Sequence, residues 1–62
     1  MLDNVDRRML AVLQEDGRIT NQDLSEKVGL SPTPCLRRLK RLEESGVIQG
    51  YSATVDPKAY GL

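Results

Sequence analysis

Arg37, Arg38, Lys40 and Arg41 place four cations within five positions, and no acid interrupts the stretch from 31 to 42. A cluster of this kind binds anions. Guanidinium groups fork onto phosphate oxygens, or onto the O6 and N7 acceptors of guanine, in a geometry that a lysine ammonium does not offer. The rest of the chain leans the other way. Residues 1–30 set Arg7, Arg8, Arg18 and Lys27 against Asp3, Asp6, Glu15, Asp16, Asp23 and Glu26, and residues 43–62 set Lys58 against Glu43, Glu44 and Asp56. Nine bases and nine acids cancel to a formal charge of zero, so whole-chain charge conceals a basic segment in an acidic chain.

Other chemistries find little support. Histidine is absent, so the usual proton-transfer residue and the imidazole ligands of zinc and haem iron are missing. Cys35 is the single cysteine, which excludes an intramolecular disulfide and a zinc-binding cysteine set. We therefore expect no metal, no cofactor and no catalytic residues. Sixty-two residues, 39% of them apolar, with no Phe or Trp, make at most one small domain cored by Leu and Val, which excludes a self-contained enzyme of ordinary size. No apolar run resembles a signal peptide or a membrane span, so the sequence reads as soluble and cytoplasmic.

Three helices are needed to position the basic segment. Between Leu2 and Asp16, the apolar residues Val5, Met9, Leu10, Val12 and Leu13 gather on one helical face. Asp3 or Asn4 is its expected cap and Gly17 its expected left-handed stop. Thr20, with Asp23 three residues on, opens a second helix with Leu24 and Val28 inward, closed by Gly29. Gly29-Leu30-Ser31 allows only a tight corner, so a third helix must leave steeply, as in a helix-turn-helix. Its cap is Ser31 or, because a residue before proline avoids the α region, Thr33; Gly46 ends it. Beyond Gly46 the alternation of Tyr51, Ala53 and Val55 predicts one strand, Gly50–Val55, stopped by Asp56-Pro57. The expected fold is thus mainly α: a three-helix, winged-helix-like domain over 1–49, followed by a β-strand linker over 50–62.

On the third helix, Cys35, Leu39 and Leu42 form one narrow stripe suited to packing inward. Thr33, Arg37 and Arg41 project from the opposite side, with Pro34, Arg38 and Lys40 on the flanks. Leu36 lies roughly 60° from Leu39, where it could be buried, pack on a sugar or touch a thymine methyl. A helix fits the major groove of B-DNA. We expect Arg37 and Arg41 to read bases, and Ser31, Thr33, Arg38 and Lys40 to hold phosphates, with the free N–H groups and positive dipole end of the helix assisting Ser31 and Thr33. A charge run on a small helix is ordinarily a solvated face. Here it is free of acids, rich in Arg and carried on the second member of a tight helix pair, and these features favour DNA.

The stretch Leu30-Ser31-Pro32-Thr33-Pro34-Cys35-Leu36-Arg37-Arg38-Leu39-Lys40-Arg41-Leu42-Glu43-Glu44-Ser45-Gly46-Val47-Ile48 resembles, without a gap, the recognition helix and exit of the Lrp/AsnC (feast/famine) family of bacterial and archaeal regulators. Leu2-Asp3-Asn4-Val5-Asp6-Arg7 and Asp16-Gly17-Arg18-Ile19 resemble the same family's first helix and its link to the second. The resemblance implies a nucleoid-associated DNA-binding domain carried by a dimer, with double-stranded DNA contacted from the positions of Ser31, Thr33, Pro34, Arg37, Arg38 and Arg41. It also implies a small apolar role for Cys35. Family members continue into an α/β domain that binds amino-acid effectors and builds oligomers, and no such domain is present in these 62 residues, so an isolated DNA-binding fragment is expected. The small core and lone strand point to a homodimer formed through the linker strand and the first helix. The rival reading is a non-DNA-binding interaction domain, as in Lrp-like proteins of tetrapyrrole metabolism. Against it stand the missing histidine and an outward basic face with no use in a haem-type pocket.

Overall fold

The computed structural model describes residues 2–52 as three helices: α1 (Asn4–Glu15), α2 (Asn21–Val28) and α3 (Pro32–Glu44). Asp3 caps α1 in a reciprocal box. Its Oδ1 accepts from the Asp6 N–H at 2.8 Å, and Asp6 Oδ2 accepts from the Asp3 N–H at 3.4 Å. Thr20 caps α2 by accepting from the Asp23 N–H at 3.1 Å. Ser31 occupies the cap position of α3, with Pro32 and Pro34 both inside the first turn. That resolves the alternative between Ser31 and Thr33. Proline is tolerated there because the N–H it lacks would find no intrahelical acceptor, and because the carbonyl four residues before Pro34 belongs to Leu30, outside the helix.

Helix stops follow two patterns. Gly29 and Gly46 adopt left-handed conformations, φ 75° and 84°, as expected. Gly17 does not, which corrects the expectation. Asp16 supplies the turn instead: its Oδ1 accepts from the Arg18 N–H at 3.1 Å, and its own N–H reaches Val12 O at 2.9 Å. A side-chain acceptor two residues back does the work that a left-handed glycine would otherwise do.

The core lies where the three helices meet. Met9, Leu24, Val28, Cys35 and Leu42 are buried, and Val5, Leu10, Val12, Leu13, Ile19, Leu39 and Ile48 pack around them. Fully burying one side chain of this size is worth about 1.5–3 kcal/mol, so five such residues make a small core that depends on each member. Polar bonds flank it, one between α1 and α2 and one within α2. Arg8 Nη2 donates to Lys27 O at 3.2 Å, satisfying a carbonyl at the end of α2, and Ser25, itself buried, donates to Gln22 O at 2.6 Å. The expected linker strand falls at Gly50–Val55. Gly50, Tyr51 and Ser52 show no strand pairing, and residues 53–55, like the rest of the proposed linker to 62, lie outside the described residues.

Candidate nucleic-acid interface

The angle at which α3 leaves α2 is set by local backbone chemistry. Gly29 turns left-handed, and the Leu30 N–H then reaches back to Ser25 O at 2.9 Å, closing the end of α2. Asn21, in the first turn of α2, crosses the corner with its Nδ2 donating to Pro32 O at 2.8 Å. Nothing in the sequence singles out Asn21 for this role. Its Oδ1 is buried without a hydrogen-bond partner among the described residues, so the amide is held by one bond only. No periodicity could have singled it out, since a polar residue at the start of a helix is unremarkable until the next helix is seen above it.

With that corner fixed, Cys35 and Leu42 sink into the core and carry Leu39 with them, as the stripe predicted. Burial raises the thiol pKa of Cys35, which disfavours the thiolate and fits a packing residue. Arg37, Lys40 and Arg41 are exposed and enter no ion pair among the described residues. Ser31 and Thr33 are exposed at the N-terminus, and Ser31 makes no side-chain cap bond, leaving its hydroxyl free. Pro34, half-buried, joins Arg37, Arg38 and Arg41 around an open depression of about 340 Å³ on the helix surface. Leu36 is 40% exposed, so of its three alternatives the structure sets aside burial in the core.

Two features bear on the expected phosphate contacts. Among the first three residues of α3 only Thr33 owns an N–H, because Pro32 and Pro34 have none. The free backbone donors at this end of the helix are thus reduced. Arg38 is placed differently from Arg37, Lys40 and Arg41. Its guanidinium reaches back onto α1, with Nη1 at 2.7 Å from Asp3 Oδ2 and 3.1 Å from Asp6 Oδ1. Two carboxylates within hydrogen-bonding distance outcompete open water for a flank position that can reach them. The hydrogen bond from Arg38 is the main cause that holds the Asp3 carboxyl below its usual range, aided by the Asp6 N–H, and the same pairing raises Arg38 further above its ordinary value.

Past α3 the chain folds back. Tyr51 donates its hydroxyl to Glu43 Oε2 at 2.8 Å, and its ring lies beside Gly17. Loss of water around the hydroxyl, then the Glu43 carboxylate, push its pKa up to about 12.

The winged helix-turn-helix DNA-binding family matches residues 2–49. Leucine-responsive regulatory proteins of Escherichia coli and Salmonella typhimurium are 61% identical over 56 residues, which is 90% of this chain and 34% of theirs. Among solved structures, a transcriptional regulator of Neisseria meningitidis, crystallised as a complex with L-Met, superposes with a TM-score of 0.91 at 53% identity, over 97% of this chain and 39% of that one. An AsnC family transcriptional regulator from Agrobacterium tumefaciens gives 0.87 at 47% identity, over 95% and 39%. The chain thus spans about a third of the length of the curated relatives it matches.

Proposed function

Because the chain belongs to the winged helix-turn-helix DNA-binding family, in its Lrp/AsnC branch, we propose that it is the DNA-binding part of a transcriptional regulator that seats α3 in the major groove. The observation that carries the reading is the outer face of α3, where Arg37, Lys40 and Arg41 stand exposed and free of ion pairs around a stem held rigidly by the core. Arg37 and Arg41 read base edges, Lys40 and the Ser31 and Thr33 hydroxyls hold phosphates, and Pro34 with Leu36 supplies apolar contact to sugar or thymine methyl. The tetrapyrrole alternative gains no support from an open basic surface without histidine.

Residues 1–49 form the DNA-binding unit in this reading, and 50–62 lead toward a C-terminal effector and oligomerisation domain. The length of the relatives and the extent of the family match support that division. Any amino-acid effector acts there, and a homodimer formed through the linker and α1 holds two copies of α3 on partly symmetric half-sites. The protein works in the cytoplasm, on the nucleoid; no described helix is long and apolar enough to cross a membrane.

Selection of bound duplexes from a random pool, followed by a salt titration, tests the proposal. Binding should weaken steeply with salt, and Arg37→Ala should cost about 1–3 kcal/mol on the selected site and much less on random duplex. Equal losses on both would make Arg37 a phosphate contact. Failure to enrich any sequence would refute the reading.

A further inference from the structure

We infer that Arg38 is a positioning residue, which docks the recognition helix onto the N-terminus of α1 through Asp3 and Asp6 and does not bind DNA phosphate. The inference rests on the DNA-binding reading and deepens it. Arg38 reaches both carboxylates with one nitrogen, and its side chain is only 26% exposed, against 7% for Asp6 and 53% for Asp3. Asp6 decides the matter. A buried carboxylate needs a partner, and among the described residues Arg38 is the one cation paired with it. Drawing Arg38 onto a phosphate would leave Asp6 buried with an unmatched charge, so the exchange is opposed from inside the domain.

The receiving carboxylates are already fixed. Asp3 and Asp6 are locked to each other's backbone N–H by the capping box, so little side-chain freedom is lost when Arg38 joins them. Charge adds a direction. The tie of Arg38 with Asp3 and Asp6 sums to one negative charge, while Arg37, Lys40 and Arg41 make the outer face of the helix positive. A phosphate backbone is repelled from the first and drawn to the second, which restricts how α3 can roll in the groove.

The test uses the whole 62-residue chain, a duplex selected by it and a labelled random-sequence duplex, over a range of salt. In Arg38→Gln, affinity for the selected duplex should fall about threefold to tenfold, the size of coupling expected between contacting groups. Its slope of log affinity against log salt should match the wild type, because no phosphate contact is lost. Arg38→Lys keeps one charge on the carboxylates and should recover part of the loss, and circular dichroism confirms that each variant is folded. A slope flatter by about 0.9 on both duplexes would make Arg38 a phosphate ligand and overturn the inference. Unchanged affinity on both would overturn it equally, since Arg38 would then position nothing. If the wild type binds neither duplex in a salt-dependent way, it is the DNA-binding reading that fails, not the assignment of Arg38.

Discussion

The recognition helix is held at two junctions built on opposite principles. At the α2–α3 corner, left-handed Gly29, the Leu30 N–H on Ser25 O and the Asn21 amide on Pro32 O join neighbouring turns through uncharged groups. At the α1–α3 junction, Arg38 reaches Asp3 and Asp6 across 35 and 32 positions of sequence, and the bond is ionic. The first fixes the angle of α3 by backbone conformation and is indifferent to salt and to mild acid. The second fixes its roll by charge and feels salt and strong acid. One helix can therefore be aimed by a stiff hinge and trimmed by an electrostatic tie, and the two should separate under the right perturbation.

The largest effect should come from removing what both junctions share. Leu24 is 1% exposed and sits in the core between α2 and its neighbours. Leu24→Ala should cost about 2–5 kcal/mol in denaturant unfolding, and it should weaken the corner and the tie together. A loss below about 1 kcal/mol would mean that the core refills easily and that the junctions, not the core, carry most of the fold.

Next comes the corner alone. Gly29→Ala places a side chain at φ 75°, where left-handed backbone costs roughly 1–2 kcal/mol although nothing lies within 4 Å of the added carbon. The penalty is conformational, so the fall in unfolding free energy should be the same at low and high salt. A salt-dependent penalty would show that the corner is electrostatic after all, and the contrast between the junctions would be lost.

The two junctions were also unequally legible in the sequence. Gly29-Leu30-Ser31 announces a corner because glycine and the cap residue act within a few positions, and the stripe of Cys35, Leu39 and Leu42 follows from helical period. Arg37 and Arg41 could be assigned outward on the same ground, and both are exposed; Lys40, a flank residue by the same period, is exposed as well. Arg38 could not. Helical period puts it on a flank, and only the path of α1 decides whether a flank meets water or carboxylates. Asp3 was visible as a capping residue and Asp6 was not, and a carboxylate that caps a backbone still has lone pairs to offer a distant cation. Gly17 failed for a related reason, because Asp16 beside it had a side chain able to make the turn first.

The smallest effect isolates the tie by acid. Arg38 holds the Asp3 carboxyl below its ordinary value of 3.8, so Asp3 binds its proton less readily in the folded chain than in the unfolded one. Its stabilising contribution is then complete above about pH 4, falls away as acid titrates the folded carboxyl, and is absent well below that. Arg38 stays charged throughout and adds no pH dependence of its own. Melting temperatures measured from pH 6 to pH 2.5 should therefore drop more steeply for the wild type than for Arg38→Gln, and the two curves should converge at the acid end. Half-molar salt should shrink the gap, because Asp3 and the outer edge of the pair are open to solvent. Gly29→Ala, which leaves the tie untouched, should run parallel to the wild type over the whole range. Parallel curves for the wild type and Arg38→Gln would mean that the pair seen between α1 and α3 does not persist in solution, and the roll of the recognition helix would have to be set by the core and the corner alone.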